Sequence, residues 1–101
     1  MSGVVVRSAD MAEVKQAAAI NLCTAAAEKF TTESDMAGFI KAGMEDFDGP
    51  AWHCIVGNSF GSSVSHAKQN FLYLSLIVPR LRTATGSTRP ETCYVLLFKT
   101  A

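Results

Sequence analysis

Cys23, Cys54, Cys93, His53 and His66 are the side chains with the greatest chemical reach in this sequence. A nucleophilic dyad would need a thiolate beside an imidazole. His53 and Cys54 are adjacent within Trp52-His53-Cys54-Ile55-Val56, a run that reads as a strand. Neighbouring strand side chains point to opposite faces, so these two do not meet. His66 could serve a distant cysteine, but no third group stands at a spacing that would orient it. A small redox or hydrolytic enzyme would require an activated Cys54 or Cys93. The three thiols are odd in number, widely spaced and lack a Cys-x-x-Cys pair. They read as small buried hydrophobes in a reducing compartment. Two histidines and scattered thiols give no metal-ligand spacing. Gly57-Asn58-Ser59-Phe60-Gly61-Ser62 lacks the Gly-Lys-Ser/Thr ending of a phosphate loop and leads into a strand, so it reads as a hairpin turn. No catalytic residue, metal or cofactor is assigned.

The elements that carry these residues fit one small domain over 1–101. The chain is 49% hydrophobic and 18% charged, which suggests apolar surface left over for oligomerisation. Nine basic and nine acidic side chains cancel, which argues against nucleic-acid partners and against a polybasic membrane binder. Residues 1–50 carry four basic and eight acidic groups, and residues 51–101 five basic and one acidic. That asymmetry either orients one subunit against another or reflects acidic helices preceding basic strands. The N-terminal residues show no signal-peptide pattern, and the longest apolar stretch, Phe71 to Val78, is far too short to span a bilayer.

Val4 to Val6 predicts a first strand. Asp10 and Glu13 approximate a capping box, and an alanine-rich helix then runs to about Lys29. Its expected apolar face is Val14, Ala18, Leu22, Ala25 and Ala26. Thr32 opens a second helix with the bulky stripe Met36, Phe39, Ile40, Met44 and Phe47. Gly38 and Gly43 either admit a close neighbour or weaken that helix. Asp48-Gly49-Pro50 ends it. Strands are expected at Trp52–Val56, Phe60–His66, Phe71–Val78 and Tyr94–Lys99, with a long exposed loop at a hairpin tip over residues 79–92. The chain thus offers two helices and five short strands, an α+β composition.

Phe71–Val78 is apolar on both faces, with Leu72, Leu74, Leu76 and Val78 on one and Phe71, Tyr73, Ser75 and Ile77 on the other. Two helices can cover only one face, so a second subunit is expected to cover the other. A histidine at such an interface, His53, would charge a poorly solvated surface on protonation, so acid should weaken the dimer. Phe60–His66, small and polar, reads as a sheet edge open to strand addition by a peptide or another subunit.

Trp52-His53-Cys54-Ile55-Val56-Gly57, then Phe60-Gly61-Ser62 and Val64-Ser65-His66, resembles the small dynein light chains of the hub type that bind short linear motifs. Ala9-Asp10-Met11, Glu28-Lys29-Phe30, Phe71-x-Tyr73 and Leu96-Leu97-Phe98-Lys99 fit in the same order. The resemblance implies an α+β fold, two helices on a mostly antiparallel five-stranded sheet, and a dimer in which the strand matching Phe60–His66 crosses to the partner's sheet. It implies a groove between that strand and the other subunit's second helix, where disordered partners, dynein intermediate chains among them, add a β-strand. By this resemblance the groove holds Glu33, Ser34, Asp35, Lys41, Phe60, Gly61, Ser62, Ser63, Val64, Ser65, His66, Phe71, Tyr73 and Ser75. The dimer interface holds His53, Phe60, Ser62, Val64 and His66.

The family has lysine at Ser34 and tyrosine at Ser63 and Ser75, groups that hold the glutamine of a Thr-Gln-Thr peptide, and it joins its last two strands by a tight turn where this chain has residues 79–92. These departures suggest a dedicated, non-enzymatic light chain. It would pair with itself or with a sister light chain on the intermediate chains of axonemal dynein, in the cytoplasm and cytoskeleton of a cilium or flagellum. The alternative is a general cytoplasmic hub for diverse motifs.

Overall fold

A computed structural model of the chain describes residues 3–58 and 70–100. Six elements follow in order: β1 (Val5–Asp10), α1 (Glu13–Lys29), α2 (Glu33–Asp48), β2 (Trp52–Gly57), β3 (Phe71–Arg82) and β4 (Thr88–Lys99). The strands form one antiparallel sheet in the order β1-β3-β4-β2. The two helices pack on one face of it, α1 against β3 and α2 against β2. The α+β architecture matches the expectation. The described sheet has four strands where five were expected, because the expected strand Phe60–His66 lies outside the described residues.

Alternation along the strands builds the core. Leu72, Leu74, Leu76 and Val78 of β3, Cys93, Val95 and Leu97 of β4, and Trp52 of β2 all point to the helices and are essentially fully buried. Met36, Ile40 and Met44 meet them from α2, and Ala19, Cys23, Ala26 and Ala27 from α1. The buried face of α1 is thus rotated from the one expected: Val14 is 69% exposed and Ala25 is also exposed. An alanine-rich helix carries too little contrast for its period to select a face.

The start of α1 also differs. Asp10 belongs to β1, which runs four residues beyond Val6, and the N-cap is Ala12 without a side-chain cap. The cap of α2 is as expected: Thr32 Oγ1 accepts from the Asp35 N–H at 3.2 Å. This satisfies one of the amides that a helix start leaves open. At the other end Gly49 takes φ 73°, a left-handed turn that suits glycine, and its N–H donates to the Glu45 carbonyl.

The largest correction concerns residues 79–92. They do join the two strands as a hairpin, but most of them are strand and not loop. β3 continues to Arg82, β4 begins at Thr88, and only residues 83–87 turn. Leu81↔Arg89 and Arg82↔Thr88 continue the ladder past a register shift between Val78 and Leu81. Pro79 sits in that shift, and Pro90 lies between the partners of Val78 and Leu81. A residue without an N–H is tolerated at such an irregularity. Leu81 is anchored in the core at 9% exposure, and the Arg82 N–H donates to the Thr31 carbonyl at 2.8 Å. The ribbon is therefore pinned to the α1–α2 connection.

Candidate binding surfaces

The sheet face turned away from the helices is a lattice of cross-strand neighbours. One row is Asp10–Phe71–Phe98–His53 and the next Ser8–Tyr73–Leu96–Ile55. A third is Val5–Ser75–Tyr94–Gly57. Phe71, Tyr73 and Ser75 are buried, whereas Val5, Ile55 and Ile77 are each about half exposed. His53 is exposed on this face. Its ring stacks on Phe98 at 5.1 Å between centroids, and its Nε2 lies 3.2 Å from Thr100 Oγ1. Cys54, next to it, faces the core, so the two side chains diverge as strand geometry requires.

Ser75 stands where the resemblance implies tyrosine. Arg7 occupies the neighbourhood: its Nε donates to Ser75 Oγ at 3.2 Å and its guanidinium lies 5.7 Å from the Tyr94 ring centroid. Tyr94 in turn stacks on Tyr73 at 5.9 Å. Arg7 was not foreseen. It is the extra residue of a register shift between Val6 and Ser8, and a lone arginine after three valines carries no such signal.

The α2 residues lie on the other side of the sheet. Glu33 and Ser34, with Thr32, line a hollow of about 500 Å³ closed by Asn58 and by Leu81, Arg82, Thr83 and Ala84 of the ribbon. Asp35 is exposed beside them. Lys41 is engaged one turn further on, where it pairs with Glu45 at 2.8 Å. The Lys41 hydrogen bond, with help from the Trp52 N–H, holds the Glu45 carboxyl below the usual carboxylate range. Within one chain the expected groove residues thus fall into two groups: Glu33, Ser34, Asp35 and Lys41 on the helix side, Phe71, Tyr73 and Ser75 on the opposite face. Phe60, Gly61, Ser62, Ser63, Val64, Ser65 and His66 lie outside the described residues.

Burial governs the thiols. It pushes Cys54 up to about 12 and, with Glu33 and Glu91 adding to it, Cys93 up to about 11. Cys23 is pushed up as well. Neither Cys54 nor Cys93 has the lowered pKa of an activated nucleophile. Among the described residues no group of three His, Cys, Asp or Glu side chains is placed to hold a metal ion, and no helix is long and apolar enough to cross a membrane.

The family model for dynein light chain type 1 matches residues 3–78, well over half of the chain, and the match ends where the ribbon begins its projection. That family comprises non-catalytic, dynein-associated light chains of the cytoplasm and cytoskeleton. With its two helices on an antiparallel sheet and its match from β1 into β3, the chain belongs to the dynein light chain type 1 family.

Proposed function

We propose that this chain dimerises through the sheet face opposite the helices and binds extended segments of dynein intermediate chains by β-strand addition, as a subunit of an axonemal dynein motor. The observation that carries the reading is the apolar lattice of that face, with Ile55 and Ile77 each about half exposed. Sheet faces of this kind are buried by a second layer, and a second copy supplies one. The split of the groove residues between the two sides of the sheet supports the same arrangement. Two copies can bring α2 of one beside strands of the other, which one chain cannot do alone. Main-chain hydrogen bonds would then supply affinity and side-chain pockets specificity. Two aligned grooves would bind paired partner strands bivalently. The serines at 34, 63 and 75 and the long ribbon favour a dedicated complex over a general hub.

Affinity purification of the tagged chain from its own cells at physiological salt, read by quantitative mass spectrometry, tests this. Recovery of axonemal intermediate chains in fixed ratio, with or without a sister light chain, is the expected result. Many unrelated partners without dynein chains would instead favour the hub. His53 lies on the proposed interface, so protonation would charge a surface that dimerisation dries. Acid should weaken the dimer, which sedimentation at pH 7 and pH 5 would reveal.

A further inference from the structure

We propose that Thr85, at the tip of the β3–β4 ribbon, is a phosphorylation site for a basophilic serine/threonine protein kinase, one whose substrate cleft carries acidic pockets for two arginines. The tip reads Arg80-Leu81-Arg82-Thr83-Ala84-Thr85. Arginines therefore stand five and three positions before the hydroxyl. Leu81 turns into the core between Arg80, which lies within the register shift, and Arg82, whose guanidinium reaches the Gly86 carbonyl at 3.4 Å; both arginines are exposed. Exposure leaves both open to a cleft that reads side chains at fixed spacing.

The ribbon also projects. β1 pairs with β3 no further than Ser75, and β2 with β4 no further than Tyr94. Among the described residues the remainder is two-stranded, and its tip is open to a large partner.

Of the four hydroxyls near the tip, Thr85 alone has both arginines at those distances. Thr83 has Arg80 three before it but Val78 five before, and it is half-buried, with Oγ1 donating to the Ser87 carbonyl at 3.1 Å. Ser87 has Arg82 five before it but Ala84 three before, and Thr88 has neither. Thr85 is exposed, and its hydroxyl meets those of Thr83 at 3.0 Å and Ser87 at 3.4 Å. The turn is closed by exposed bonds, Thr83 N–H to Ser87 O at 2.7 Å and Gly86 N–H to Thr83 O at 3.0 Å. The arginine-bearing strand is held by buried Leu81 and by the Arg82–Thr31 bond. The tip can open locally while the strand stays extended.

The chemistry is ordinary phosphoryl transfer from kinase-bound MgATP. Thr85 Oγ forms a bond to the γ-phosphorus, the bond from that phosphorus to the β–γ bridging oxygen breaks, and ADP leaves with the electron pair. The hydroxyl proton passes to the kinase's catalytic carboxylate. The product places a charge of about −1.5 to −2 beside Arg82, which borders the hollow at the start of α2. A charge-assisted bond to that guanidinium would reshape the rim of the hollow.

The full-length chain, incubated with MgATP and a purified kinase of the protein kinase B type, should acquire one phosphate, mapped to Thr85 by tandem mass spectrometry. T85A should acquire none, and T83A should behave as the parent. R80A and R82A, both exposed changes with unaltered circular dichroism expected, should each lower kcat/KM about tenfold or more. A synthetic Val78–Thr88 peptide is assayed alongside. Phosphate at another hydroxyl, or parental rates for R80A and R82A, would overturn the assignment. So would a phosphorylated peptide with an unmodified folded chain, since the fold would then conceal the site.

Discussion

The two faces of the sheet are built from the same strands and end in opposite conditions. On the helix side Leu72, Leu74, Leu76 and Val78 are sealed under α1 and α2, and the cluster closes within the chain. On the other side the cross-strand rows contact one another, His53 on Phe98 and Tyr73 on Tyr94, yet Val5, Ile55 and Ile77 remain about half exposed. A strand apolar on both faces belongs in the interior of a layered structure. Among the described residues the chain provides one covering layer, so the first face fixes the fold and the second is available for association.

The sharpest way to break this contrast is a truncation on the sealed face. Leu74→Ala should cost about 2–5 kcal/mol of stability, through lost transfer energy and a cavity under the helices. Urea unfolding would measure it, and the loss should persist at every protein concentration. On the other face Ile55→Lys should leave the fold intact, because the side chain is already 48% exposed. If the face is an interface, burying that ammonium should weaken self-association by a factor of about thirty or more. Light scattering coupled to size exclusion would show a monomer at concentrations where the parent is dimeric. An unchanged dimer would move the interface elsewhere.

The helix layer offers a finer comparison between two glycines of α2. A Cβ on Gly43 would lie 2.5 Å from Leu22 Cδ2 of α1, whereas one on Gly38 would meet nothing within 4 Å. Gly43→Ala should therefore destabilise by about 1–3 kcal/mol, the usual range for overpacking. Gly38→Ala should stabilise by about 0.5–1 kcal/mol by restricting the unfolded chain and favouring the helix. Thermal unfolding of the pair separates the signs. Equal shifts would mean that the Leu22 side chain moves aside at no cost.

These glycines also mark how far the sequence could be read. Their spacing left close approach and mere weakness both open, and each reading holds for one of them. Elements with strong contrast were legible: the Met36–Ile40–Met44 stripe, the Thr32 cap, and the alternation in β2 and β3. The face of α1 was not, because alanine on every side gives the same pattern at any rotation. Prolines and arginines made residues 79–92 read as a loop. Their strand character depends on Leu81 reaching the core and on a register shift that accommodates the prolines, both tertiary facts. For the binding surface, residue types pointed to α2 and β3. That these sit on opposite sides of the sheet follows from the packing of α2, which a linear motif does not specify.

The smallest effect is expected at the rim where the helix layer meets the sheet. Asp48 closes α2 between Lys99 of β4, at 3.0 Å, and Lys15 of α1, at 3.2 Å. The Lys99 hydrogen bond, followed by that of Lys15, holds the Asp48 carboxyl below its ordinary range. A carboxylate lowered on folding adds stability that is complete above the unfolded value, about 4. The contribution is lost as pH falls through the folded value, because the unfolded chain then binds the proton more readily. Glu45, lowered chiefly by Lys41, has the same sign. Stability should thus decline below about pH 4, and Asp48→Asn should flatten that decline in urea midpoints taken from pH 6 to pH 2. Since these pairs are partly open to water, added salt should flatten it as well. A decline untouched by both would place the acid sensitivity in other carboxylates and leave the rim cluster without a part in it.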